Sequence, residues 1–138
     1  MKRTAGIFWF AALLVAVSAE SGYGQAATEK TIWDGVYTEA QATRGQRVAQ
    51  QNCASCHAPS DWSGSSFLRS WVGRPVLGLH NHIRTSMPFG SPGRLSAEQY
   101  SDIVAYMLKL NRAPAGKTEL PADDAGLRKI NVTRQASR

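Results

Sequence analysis

Several familiar patterns are missing from this chain. It shows no β-α-β alternation, which excludes a thioredoxin-like redox domain. Strand signals are sparse and there is no internal repeat. Lys and Arg outnumber Asp and Glu by 16 to 10, a net charge of +6. The basic residues are nevertheless scattered, with no aromatic-interleaved basic stripe, and this argues against nucleic acid as a partner. Beyond the N-terminal stretch, no segment is long and apolar enough to span a bilayer. At 138 residues the chain is one small domain with a limited apolar core. Cysteine occurs only twice. A structural zinc site, which normally takes four ligands, would need both cysteines and two histidines.

What is present is concentrated in five residues, Cys53-Ala54-Ser55-Cys56-His57. This C-x-x-C-H run is the signature of covalent c-type haem attachment. The two thiols can add to the two vinyl groups of a haem and become thioethers. Two intervening residues suit one helical turn laid along the porphyrin edge, and His57 can then reach the iron. A single buried haem would add a large apolar surface to a small core, so the apoprotein is expected to fold poorly.

The N-terminus reads as a secretory leader. Lys2 and Arg3 form a basic segment, Ile7 to Val17 an apolar one, and small residues offer cleavage after Ala26 or, alternatively, after Ala19. An uncleaved leader would act as an anchor; a cleaved one leaves no transmembrane span. Removal of residues 1–26 takes two basic residues and one acidic one and leaves a net charge of +5, suited to an acidic partner. Export to a bacterial periplasm fits covalent haem, which is attached outside the cytoplasm.

Residues 27–37 read as an extended arm, residues 38–131 as the folded domain and 132–138 as a fraying tail. Thr38-Glu39-Ala40-Gln41 has the form of a capping box opening a helix that runs to the cysteines. Gly45 inside it costs about 1 kcal/mol against alanine, which points to close approach by another helix. A loop rich in breakers follows His57. A short helix is expected over Phe67 to Val72, and another with Pro75 as its first residue. In that second helix Val76, Leu79, His80 and Ile83 share a face. Met87 to Gly93 is irregular. Ser96-Ala97-Glu98-Gln99 is a second capping box, with Leu95 and Tyr100 as its hydrophobic staple. Tyr100, Ile103, Val104, Met107 and Leu108 then form one apolar stripe on a helix ending near Asn111. Leu120, Leu127 and Ile130 should pin a wrapping segment.

Haem iron held by His57 needs a decision about its other face. Met107 lies on the helical stripe and reads as core. Met87 sits in a Pro/Gly-rich loop before Pro88, which favours extended backbone and presents a thioether from a stiff segment. His/Met ligation raises the reduction potential. His80, on an apolar helix face, and His82, off it, are the rivals and would give bis-histidine iron. An open sixth site would admit small ligands or peroxide.

With these motifs the sequence resembles a class I c-type cytochrome over residues 37–131. It is most similar to the cytochrome c domains that accompany quinoprotein (PQQ-dependent) alcohol and sugar dehydrogenases. That closer likeness is carried by Trp33-Asp34-Gly35-Val36-Tyr37-Thr38, Ile83-Arg84-Thr85-Ser86-Met87-Pro88 and Gly93-x-Leu95-Ser96. It continues through Ala105-Tyr106-Met107-Leu108 with Asn111, Pro114-Ala115-Gly116 and Glu119-Leu120-Pro121. The resemblance implies an all-α fold wrapped round one haem c, with Cys53 and Cys56 as attachment points, His57 proximal and Met87 distal. It also implies a helix crossing at Gly45 against the aromatic Tyr106. The chain departs from the family in three places. The interval from His57 to Met87 is short at 30 residues. Ala58 stands where a glycine is common. The Gly-Pro-x-Leu segment whose carbonyl orients the proximal histidine is missing, which leaves Pro59 or the loop to Gly64 to do so.

The function expected is therefore that of an exported mono-haem electron carrier, not an enzyme. Trp62, Trp71 and Arg84 are candidates for propionate contact or haem packing. A PQQ-dependent dehydrogenase would be the donor, and an oxidase or another cytochrome the acceptor. The competing readings are a haem protein with peroxidase-like or ligand-binding activity, and a haem-free disulfide or zinc protein.

Overall fold

The computed structural model describes residues 29–135. The leader expected over residues 1–26 lies outside the described residues. The order of elements is β1 (Lys30–Thr31), α1 (Glu39–Asn52), a 3-10 turn (Pro59–Trp62), α2 (Gly64–Trp71), α3 (Val76–Ser86), α4 (Ala97–Leu110), α5 (Asp124–Arg128) and β2 (Ile130–Asn131). Five helices dominate, as the all-α reading requires. Among the described residues no helix is long and apolar enough to cross a membrane.

The fold is organised by the crossing of α1 over α4, and Gly45 permits it. A Cβ on Gly45 would lie 1.8 Å from the Asp102 carbonyl oxygen and 2.9 Å from the Ile103 nitrogen, well inside contact distance. Backbone thus meets backbone, and the glycine's helix cost is the condition for the approach. The atoms met first are the Asp102–Ile103 peptide; Tyr106, expected opposite Gly45, lies one turn further along and is buried. Beside the crossing, Arg44 donates to both oxygens of Asp102, at 3.0 Å each, and to both of Glu119, at 2.9 Å each. The two carboxylates raise the guanidinium pKa and Arg44 lowers that of Glu119. Glu119 is exposed and Arg44 half-buried, so the outer pair adds little energy and mainly fixes register.

Both helices start where the sequence indicates. Thr38 Oγ1 accepts from the Gln41 amide of α1. Ser96 and Gln99 close a full capping box on α4. The box at α1 is only half made. Gln41 is buried, and its side-chain amide both donates to the Leu120 carbonyl (3.0 Å) and accepts from the Leu120 N–H (2.7 Å). Burial of Leu120 strands a peptide that must find partners, and Gln41 supplies them. Helix α4 is buried from Tyr100 to Leu108, more widely than its apolar stripe implies. α2 begins at Gly64, three residues before the expected Phe67, because Asn111 Oδ1 accepts the Gly64 N–H at 3.0 Å. Pro75 is the residue capping α3 rather than its first member.

The arm and the wrapping segment are tied together. β1 pairs in parallel with β2, Lys30 opposite Ile130. Leu120, Leu127 and Ile130 are buried as expected. The packed chain runs past 131, beyond the expected end of the folded domain. Val132 is buried and exchanges backbone hydrogen bonds with Gly73 and Arg74 at 2.9 Å each, and Trp33 Nε1 donates to the Thr133 carbonyl.

His80 is a core residue on α3. It is buried against the edge of Tyr100, its Nε2 lies 3.4 Å from the Ala97 carbonyl and its Nδ1 has no partner. Burial pushes its pKa below the ordinary value, only partly countered by the Ala97 bond; Arg84 lowers it further and Asp124 raises it.

Two outcomes follow for the holo-protein. Gly45→Ala must force α1 and α4 apart and is expected to cost at least ~3 kcal/mol, read by chemical denaturation. The unfolded chain binds a proton at His80 more readily than the folded chain does. Stability from this residue is therefore complete above about pH 6.5 and declines as pH falls below it. In His80→Phe, the slope of stability against pH in that acid window should be smaller than in the parent.

Candidate functional site

The site starts at the C-terminus of α1. Cys53 N–H donates to the Ala49 carbonyl, and the Cys53 carbonyl then accepts from both Cys56 and His57, at 3.1 and 3.0 Å. One further turn is wound, and it places Cys53, Cys56 and His57 along a single edge. Both cysteines are free; Cys53 is half-buried and Cys56 exposed. Burial raises the Cys53 thiol pKa against the opposing pull of Arg94.

Met87 comes to the same place from the end of α3. Its backbone is extended at φ −132° and ψ 152°, as the following Pro88 favours. Its N–H is held by the Ile83 carbonyl at 2.8 Å, and its own carbonyl accepts from the Tyr100 hydroxyl at 2.9 Å.

Between these segments lies an apolar cleft. One part, about 380 Å³, is walled by Cys53, His57, Trp62, Phe67, Trp71, Leu79, Ile83, Met87, Ile103 and Met107, with Asp61, Ser70 and His82 as its polar lining. A second part, about 360 Å³, is lined by Cys53, Cys56, His57, Met87, Pro88 and Phe89. Cys53, His57 and Met87 border both, so the two are halves of one slot around the C-x-x-C-H turn. Flat apolar walls, two free thiols on one edge, an imidazole and a thioether make a donor set that fits a covalently held haem. The fit extends to the chemistry of the ligands: one nitrogen and one soft sulfur. By contrast, no three of His, Cys, Asp and Glu gather as a metal-binding group among the described residues. Zinc held by Cys53, Cys56 and two histidines has no geometric basis there.

The other candidates separate clearly. Trp62 and Trp71 wall the slot. Arg84 is exposed, donates to Asn81 on its own helix and does not line the slot. The cation near Trp71 is instead Arg74, whose guanidinium carbon lies 5.9 Å from the ring centroid. His80 takes no part in the lining, but His82 does: its ring sits 5.5 Å from Trp71, whose neighbour Ser70 also lines the slot.

Three contributors have no local signature in the sequence. Asn111 donates to the Trp62 carbonyl at 2.7 Å and accepts from Gly64, tying the loop after His57 to the end of α4. The Tyr100 hydroxyl pins the Met87 carbonyl. Asp61 faces His57. Each is a contact across long sequence separation or within an irregular turn, which no periodicity reports.

Crossing helices beside a slot bordered by Cys53, Cys56, His57 and Met87 have the arrangement expected of a small c-type cytochrome domain. Residues 40–107 match the family model described as cytochrome c oxidase, cbb3-type, subunit III. Comparison with curated proteins and with solved structures gives no match. A cytochrome c domain over these residues implies covalently bound haem c and electron transfer.

Asn111→Ala removes three side-chain hydrogen bonds and leaves the Trp62 carbonyl and Gly64 N–H without their partner. The expected cost is about 2–3 kcal/mol, measured by thermal or denaturant unfolding of the holo-protein.

Proposed function

We propose that this protein is an exported mono-haem electron carrier in which Cys53 and Cys56 hold the haem through thioethers and His57 and Met87 ligate its iron. The observation that carries this reading is the convergence of Met87 on the C-x-x-C-H turn, across 30 residues of sequence, at the border of both halves of one apolar slot. The haem iron, once bound, alternates between Fe(III) and Fe(II) and so carries one electron at a time.

The chain's own residues hold, orient and shield. Trp62, Phe67, Leu79, Ile83 and Ile103 give the slot an apolar lining from which a bound haem would displace water. Tyr100 and the end of α3 fix the Met87 backbone, which limits how far the thioether can swing away. Trp71, Ser70 and His82, with Arg74 nearby, give the far end of the slot a polar rim suited to propionates. Export is supported by the leader-like N-terminus. A quinoprotein dehydrogenase as donor rests on the likeness of motifs from Trp33 to Pro121. An oxidase as acceptor is consistent with the family matched over 40–107. A second reading, bis-histidine iron, has one supporting observation, the presence of His82 in the slot lining.

The deciding measurement is an optical spectrum of the exported protein, oxidised and reduced, after denaturing removal of loose haem. The parent should retain haem and show the weak far-red band of Fe(III)–thioether bonding. Met87→Ala should retain the haem, lose that band and fall in reduction potential. An unchanged spectrum in Met87→Ala would transfer the sixth position to His82 or leave it open.

A further inference from the structure

We infer that the Asp61 carboxylate is the positioning partner of the His57 imidazole, acting on its Nδ1 so that Nε2 is left to ligate the iron. The inference rests on the proposed role of His57. The sequence has no Gly-Pro-x-Leu segment to supply the carbonyl that would otherwise do this.

The 3-10 turn Pro59–Trp62 starts two residues after His57 and brings the Asp61 carboxylate back toward its Nδ1. Asp61 Oδ2 accepts from the Ala58 N–H at 3.0 Å, which locks the carboxylate in place. The same oxygen lies 3.7 Å from His57 Nδ1. With the carboxylate held by Ala58, one water between the two atoms would bridge that gap. Trp62, next in the turn, sits 5.5 Å from the imidazole centroid with the rings inclined at 43° and limits ring rotation from the other side. The turn itself is held to α4 by Asn111 through the Trp62 carbonyl. A chain of contacts therefore runs from α4 through the turn to the ring: Asn111, Trp62, Asp61, His57.

A carboxylate in this position differs from a carbonyl in carrying a full negative charge. A proton held between Nδ1 and an anion makes the ligating nitrogen more basic and favours the more positive iron state. Asp61 should thus hold the reduction potential below the value a neutral partner would give. Asp61 and His57 are both partly open to solvent, with side-chain exposures of 50% and 34%, which places the effect at the modest end.

The test compares the holo-protein with Asp61→Asn and Asp61→Glu by equilibrium redox titration and by NMR of the imidazole N–H in the reduced state. Asn keeps an oxygen for the Ala58 N–H and removes only the charge. The expected result for Asp61→Asn is a positive shift of about tenfold in the Fe(III)/Fe(II) equilibrium, ~59 mV for one electron, with a displaced Nδ1–H resonance. Its far-red band and thermal midpoint should stay near the parent's. Asp61→Glu should recover most of the shift. An unchanged potential and resonance in Asp61→Asn would overturn the inference. So would a shifted potential accompanied by loss of the far-red band, which would mean a loosened slot. Failure of the parent itself to retain haem would overturn the role of His57, and the inference with it, and is distinguished by the absence of any haem spectrum.

Discussion

The distance between α1 and α4 is set by one hydrogen atom, the one Gly45 carries in place of a side chain. With backbone resting on backbone there, the end of α1 arrives close to α4, and α4 can serve as the common reference for everything else. Its Tyr100 end holds the Met87 carbonyl, its middle sends Ile103 and Met107 into the slot, and its Asn111 end holds the turn after His57. The cysteine turn is the direct continuation of α1. The two halves of the site are thus registered against each other through a contact that contains no functional group. Arg44, adjacent to Gly45, adds a charged fastening that resists sliding along the crossing rather than contributing much to stability.

Features encoded within a few residues were legible in the sequence. The C-x-x-C-H run, the start of α1, the Ser96 capping box, the stripe on α4, the buried face of α3 and the extended backbone at Met87 all depend on neighbours one or two turns away. The expected spacing of Leu120, Leu127 and Ile130 also proved to be a buried anchor line. What escaped was the use of side chains across distance. Gln41 looked like a capping residue and serves instead as the partner of a peptide 79 positions away. Gly64 starts a helix early because a remote asparagine satisfies its N–H. Val132 reads as tail and is core, because its alternation with Ile130 is only two apolar residues long and too short to stand out as a strand. Trp71 was legible as a slot wall, whereas the arginine beside it, Arg74 in place of Arg84, depended on how a short loop turned.

The polar chemistry of the slot is economical. Most of its lining is aliphatic and aromatic, and the polar groups are few: the thiol of Cys53, Ser70, His82, and Asp61 beside the imidazole. Such zoning lets a low-dielectric interior coexist with a few charged groups close enough to bias it, while those charges stay partly hydrated and avoid the full cost of burial. His80 shows the other solution, a histidine withdrawn into the core and kept neutral there, next to a helix face that serves the slot.

The short parallel pairing of Lys30–Thr31 with Ile130–Asn131 has a geometric meaning beyond its few hydrogen bonds. It brings the first and last packed segments of the folded unit side by side, and Val132 and Thr133 extend that closure past β2. A pull applied at the two ends of the folded unit would therefore load this short seam before it reached the helix crossing.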